Sequence, residues 1–172
     1  KTLQAAAAGG ADVLVLCDTN GGCLSHEVYA ITEWVKKRVN VPVGAHTHND
    51  SETGVANAME AVRAGAIHVQ GTINGFGERC GNCNLVSVIA NILKKTELTC
   101  LADPEQLKKL KAVSQFVNEQ ANLRDNQRAA YVGDSAFAHK AGMHVDGVRK
   151  AAASFEHVPP DEVGNSRRIL IS

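Results

Sequence analysis

Apolar positions in the first hundred residues alternate between two rhythms. Ala11 to Cys17 holds a short continuous run, Val13-Leu14-Val15-Leu16, which predicts a strand buried on both faces. Asp18-Thr19-Asn20-Gly21-Gly22 ends it, and Leu24, Val28, Ile31 and Val35 then recur at helical steps. Val41 to Ala45 predicts a second strand, closing on His46-Thr47-His48-Asn49-Asp50, and a second helix follows with Val55, Met59 and Val62 on one face. Ile67 to Gly71 predicts a third strand. A glycine-rich stretch, Thr72 to Asn82, leads into a third helix carrying Leu85, Val88, Ile89 and Ile92.

Strand and helix repeated three times over short connections imply parallel strands joined by right-handed crossovers. The fold class is therefore α/β, either a (β/α) barrel or a doubly wound sheet. In both, ligands bind beyond the carboxyl ends of the strands, where all three polar motifs fall. After about Thr96 the pattern changes. Asp103-Pro104-Glu105 is a helix start with Asp103 as N-cap, and Leu107, Leu110, Val113, Phe116 and Val117 predict an amphipathic helix to about Ala121. From Asn122 onward strand–helix alternation fades, as in a small, mainly helical subdomain. The chain opens inside a helix (Thr2 to Ala8, stopped by Gly9-Gly10) and closes on a strand start, Arg168 to Ile171. Both ends thus predict further chain on either side.

Composition narrows the class. With 18 basic and 18 acidic residues the chain carries no basic footprint for nucleic acid or an anionic membrane. No apolar run approaches the roughly 20 residues of a membrane span. Five cysteines, an odd number, suit reduced thiols in a cytoplasmic protein.

The chemistry concentrates at the strand ends. His46 and His48, two apart on a strand, point to one face while Thr47 points away. Such a pair is either a hydrogen-bonded couple or two ligands of a divalent metal; Asn49-Asp50 and the position above the sheet favour the metal. Asp18, Thr19 and Asn20 offer a carboxylate, a hydroxyl and an amide at the same rim, either as substrate contacts or as an Asx-type turn. The segment Asn74 to Asn82 is not a dinucleotide loop, because Cys80 stands where a third glycine belongs. Its glycines allow close backbone approach to a ligand, Asn74 and Asn82 are candidate contacts, and Glu78-Arg79 is expected to brace the loop as an ion pair. Cys80 and Cys83 read as two buried thiols. His26, His68 and His157 read as structural, and His139 and His144 as interface or surface residues.

The motifs Cys-Asp-Thr-Asn-Gly-Gly (17–22), His-Thr-His-Asn-Asp (46–50) and Asn-Gly-x-Gly-Glu-Arg-x-Gly-Asn (74–82) closely resemble the 2-isopropylmalate, homocitrate and citramalate synthase family, which is related to 3-hydroxy-3-methylglutaryl-CoA lyase. Tyr131 to Gly147 and Phe155 to Arg168 resemble the subdomain that follows the family's barrel, and Gln70 to Asn74 with Tyr131 to His139 look most like citramalate synthases. The resemblance implies the last three strand–helix units of a (β/α)8 TIM barrel over 1–98, then a helical subdomain over 99–172. It implies a Claisen-type condensation of acetyl-CoA with a 2-oxo acid, pyruvate giving citramalate, in branched-chain amino-acid biosynthesis. Isopropylmalate or homocitrate synthase is the alternative, and a non-catalytic piece retaining the motifs is another. By the same analogy His46, His48 and Asn82 are ligands of a divalent metal (Mn, Mg or Zn). His144 is the acid–base residue, delivered into the other subunit of a homodimer.

The chain departs from the family at one point. The Asp-x-Thr-x-Arg-Asp-Gly of the family's first strand, which supplies a third protein ligand and an arginine, does not occur, and a full barrel needs roughly 250 residues. Three strands taken from a barrel also expose two sheet edges and one apolar face, predicting oligomerisation or disorder at these edges unless further chain covers them. The isolated 172-residue chain is accordingly expected to be inactive; a measurable condensation rate from the purified chain would contradict this.

Overall fold

The computed structural model describes residues 1–170; Ile171, the last position of the expected terminal strand, lies outside them. The chain forms two compact units, Lys1–Val88 and Ile89–Ser172.

In the first unit, α1 (Thr2–Ala8) leads to β1 (Leu14–Asp18), α2 (Ser25–Lys36), β2 (Val43–Thr47), α3 (Gly54–Arg63), β3 (His68–Gln70) and the start of α4 (Leu85–Lys95). The strands form one parallel sheet in the order β1-β2-β3, with Leu14 opposite Val43 and His46 opposite Gln70. The alternation read from the sequence is thus present. Among the described residues the expected two-sided burial is confined to β2, the strand with neighbours on both sides. In β1 just Leu14 is fully buried, and Ile67, before the edge strand β3, is largely exposed.

Helix α3 corrects a second expectation. Val55, Met59 and Val62 are only half-buried, whereas the buried face is Gly54, Asn57, Ala58 and Ala61. Small side chains let α3 approach the sheet closely, and Ala61 packs with Val28, Ala45 and Ala66. Hydropathy alone favours the larger residues, but close approach demands the small ones. Asn57, fully buried, stitches this layer together. Its Nδ2 donates to the Cys23 carbonyl (2.8 Å) and the Thr53 hydroxyl (3.2 Å), and its Oδ1 accepts from the Ser25 hydroxyl (2.9 Å).

In the second unit Asp103 caps as expected, accepting from the Glu105 N–H at 3.0 Å. The helix it starts is divided, a 3-10 turn over Pro104–Lys109 preceding α5 (Leu110–Gln120). Val113 and Phe116 are exposed, and the buried side is Leu107, Leu110, Ser114 and Asn118. Beyond α5 lie α6 (Gly142–Lys150) and a short parallel pair, β4 (Ala138–His139) with β5 (Arg168–Ile169). Much of this unit is fastened by polar contacts. Asn165 Nδ2 donates to the carbonyls of Tyr131 (3.0 Å) and Gly133 (2.9 Å), while Lys111 Nζ donates to Asn165 Oδ1 (2.9 Å) and Asp134 (2.8 Å).

Because Asn57 satisfies three partners in a buried layer, Asn57→Ala is expected to destabilise the chain by about 2 kcal/mol. Val55→Ala, at a half-buried position, should cost clearly less; the midpoints of urea unfolding measure both.

Candidate metal centre at the rim of the parallel sheet

The strand pleat decides which side chains meet. Cys17, His46 and Gln70 are opposite one another in register and share one face, while Asp18 and Thr47 are register partners on the other. Gln70 Oε1 therefore accepts from His46 Nδ1 at 3.0 Å. That bond fixes the tautomer and leaves the His46 Nε2 lone pair free. His48, two residues on, is on the same face; the two ring centroids are 5.3 Å apart, tilted by 51°.

The glycine-rich loop folds back onto this end of β2. Cys83 N–H donates to the Thr47 carbonyl (2.8 Å) and Asn49 N–H to the Gly81 carbonyl (3.0 Å), placing Asn82 directly opposite His48 in an isolated antiparallel bridge. Gly81 permits the turn: its φ is +99°, and a Cβ there would lie 2.0 Å from the Gly75 carbonyl oxygen. Asn82 Nδ2 donates to the Phe76 carbonyl at 3.1 Å, which orients the amide and leaves Oδ1 without a partner. The buried Nδ1 of His48 is also unpartnered among the described residues.

A buried polar atom left unpaired costs about 1–3 kcal/mol, so two of them on residues paired in one bridge call for a ligand. One imidazole with its tautomer set, a second with a buried free nitrogen and an amide oxygen are suitable donors for a divalent cation. They form an open set rather than a closed one. No group of three or more His, Cys, Asp or Glu that could hold a metal ion occurs among the described residues.

The other rim residues take different positions. The Asp18 carboxylate, on the face away from the histidines, accepts from the Cys23 N–H at 3.3 Å. Asn20 Oδ1 accepts from the Gly22 N–H at 3.0 Å, and Thr19 and Asn20 are exposed at the rim. The side chains of Asp18 and Asn20 thus shape the turn. Asn74 sits in a left-handed conformation, φ 62°, within the 3-10 turn Ile73–Gly75. The expected Glu78–Arg79 brace is replaced. Arg79 forks onto Asp50 (Nε to Oδ1 2.7 Å, Nη2 to Oδ2 3.0 Å) and donates to the Thr19 carbonyl at 2.8 Å. That fork holds the Asp50 carboxyl below the usual range. Cys80 is exposed rather than buried, sitting at the loop's tip; burial of Cys83 pushes its thiol up to about 11.

In the second unit His144 is exposed on α6, its ring 5.0 Å from that of Phe155. His139, expected at the surface, is buried. Its Nε2 donates to Glu156 (3.0 Å), itself buried and forked by Arg167 at 2.8 and 2.6 Å. Sequence reading missed Gln70, the Asp50–Arg79 pair and this His139–Glu156–Arg167 network. Only Gln70 left a signal, standing on its strand where His46 stands on the previous one.

Comparison with known proteins shows the family. Residues 1–117 match the HMGL-like family model, and residues 131–172 match the homocitrate synthase post-HMGL domain-like model. The chain belongs to the HMGL-like family. It is 52% identical over its whole length to an (R)-citramalate synthase of Geobacter sulfurreducens and 54% to one of Sulfolobus acidocaldarius, covering 32% and 33% of them. Over 94% of the chain it is 37% identical to a 2-isopropylmalate synthase of Methanocaldococcus jannaschii, covering 31% of it. The chain thus spans about a third of the length of these relatives. Among solved structures, the N-terminal domain of a putative aldolase from Bacteroides vulgatus superposes with TM-score 0.57 at 27% identity, over 72% of this chain and 40% of that one. An HMG-CoA lyase from Acinetobacter baumannii superposes with TM-score 0.63 at 20% identity, over 74% and 44%. The three strand–helix units are accordingly part of the family's TIM barrel.

Glu156 provides a pH test. Arg167 foremost, with His139, holds its carboxyl below the ordinary range against the opposing effect of burial. A depressed carboxyl contributes stability that is complete above its unfolded pKa and is lost as pH falls through the folded one. Glu156→Gln should therefore be less stable than wild type at neutral pH. The gap should close below about pH 4, as read from unfolding midpoints across pH.

Proposed function

We propose that the protein containing this chain condenses acetyl-CoA with a 2-oxo acid, pyruvate giving citramalate, in branched-chain amino-acid biosynthesis. His46, His48 and Asn82 would be its metal donors. The reading is carried by the paired free atoms at the rim, His48 Nδ1 and Asn82 Oδ1, next to a His46 whose tautomer Gln70 sets. The (R)-citramalate synthases that match the whole chain support the choice of reaction. A divalent cation (Mn, Mg or Zn) held there would act as Lewis acid on the 2-oxo acid's ketone.

The chain's own groups supply orientation. Gln70 keeps the His46 Nε2 lone pair available, and the Phe76 carbonyl, accepting from Asn82 Nδ2, orients the Asn82 amide. Thr19, Asn20 and Asn74 stand at the rim as substrate contacts, Asp18 acting through the turn it closes. His144, exposed and backed by the Phe155 ring, is the group that moves a proton in a homodimer, acting in the other subunit's site. On this reading 1–98 is barrel and 99–172 the subdomain that follows it, and the protein is cytoplasmic; none of the described helices is long and apolar enough to cross a membrane. The 2-isopropylmalate synthase relative makes 2-oxoisovalerate the competing substrate.

Assays of the full-length protein with pyruvate, 2-oxoisovalerate and 2-oxoglutarate should favour pyruvate. His46→Ala and His48→Ala should each weaken divalent-metal affinity by more than about tenfold, measured by chelator competition. Unchanged affinity in both variants would refute the metal assignment.

A further inference from the structure

We infer that Arg79 is a positioning residue for the cation site, acting through Asn82; this rests on the metal assignment proposed above. Arg79 links the loops that follow all three strands. It forks onto Asp50, two residues beyond His48, and reaches the Thr19 carbonyl beyond β1, while lying three residues before Asn82. The two segments bearing His48 and Asn82 are thus fixed twice. On one side stand the backbone bonds from Asn49 to Gly81 and from Cys83 to Thr47; on the other stands the guanidinium fork. The β1 loop also abuts Asp50, since a Cβ at Gly21 would lie 2.5 Å from Asp50 Oδ2.

Stability does not account for the arrangement. The Arg79 and Asp50 side chains are 42% and 23% exposed, and such pairs contribute little to folding. The loops meanwhile hold strained backbone. Glu52, Asn74 and Arg79 all have φ between 56° and 62°, the left-handed region that non-glycine residues avoid. What the fork supplies is fixed geometry, aiming the Asn82 oxygen at the space beside His48. Coulomb's law alone predicts the opposite sign for removing Arg79, because losing a cation near the site would tighten metal binding.

Co²⁺ titration of the full-length protein, with chelator competition and visible absorption, separates these effects. Arg79→Gln and Asn82→Ala should each weaken Co²⁺ binding by about tenfold and alter the absorption band in the same way. The double variant should be no weaker than Asn82→Ala alone, since the two act as one unit. Asp50→Asn, which keeps the guanidinium but breaks the fork, should reproduce the changed absorption band of Arg79→Gln, the discriminating readout here because loss of a carboxylate weakens cation binding by Coulomb's law alone. Wild-type affinity in both Arg79→Gln and Asp50→Asn, or losses that add in the double variant, would overturn the inference alone. If Co²⁺ binding survives in a His46→Ala/His48→Ala protein, the metal assignment falls and the inference falls with it.

Discussion

The rim of the first unit is organised around two buried polar atoms without a hydrogen-bond partner among the described residues, His48 Nδ1 and Asn82 Oδ1. Leaving such atoms dry and unpaired is unfavourable, yet much of the local chain is committed to keeping them so. The loop after β3 doubles back to pair with the end of β2. Gly81 makes the turn that only glycine takes comfortably, and the Phe76 carbonyl accepts from Asn82 Nδ2, leaving the buried Oδ1 without a partner among the described residues. The α/β layering below serves the same end: two imidazoles share a face only while β2 stays extended and its register with β3 holds.

Legibility in the sequence followed periodicity. Period-two and period-3.6 patterns revealed the three strand–helix units, and two-residue spacing put both imidazoles on one face, because these follow from the chain's local geometry. Long-range matters were hidden. Val55, Met59 and Val62 outrank Ala58 and Ala61 in hydropathy, yet the tight α3–sheet contact selects the small residues. Glu78 adjoins Arg79 in sequence, but neighbouring side chains diverge, and the guanidinium finds Asp50 from another loop instead. The same limit hid His139, whose partners lie 17 and more residues onward.

The two units are stabilised by different means. In the first, alanines and Asn57 bring helix and sheet together over a compact apolar layer. In the second, buried Leu107, Leu110, Tyr131 and Phe137 are joined by ion pairs and amides that tie short elements together, with Glu156 serving both His139 and Arg167. Buried ionic networks of this kind specify one arrangement more than they add net stability.

Gln70 ends β3, a strand of three residues at the open edge of the sheet. Edge strands this short fray readily, and each fraying event would release the His46 ring to rotate or exchange tautomers. At the proposed site, ion occupancy and ordering of this edge would therefore be thermodynamically coupled: a bound ion would slow hydrogen exchange in β3. Conversely, a neighbouring strand docked against that edge would raise ion affinity without touching a ligand.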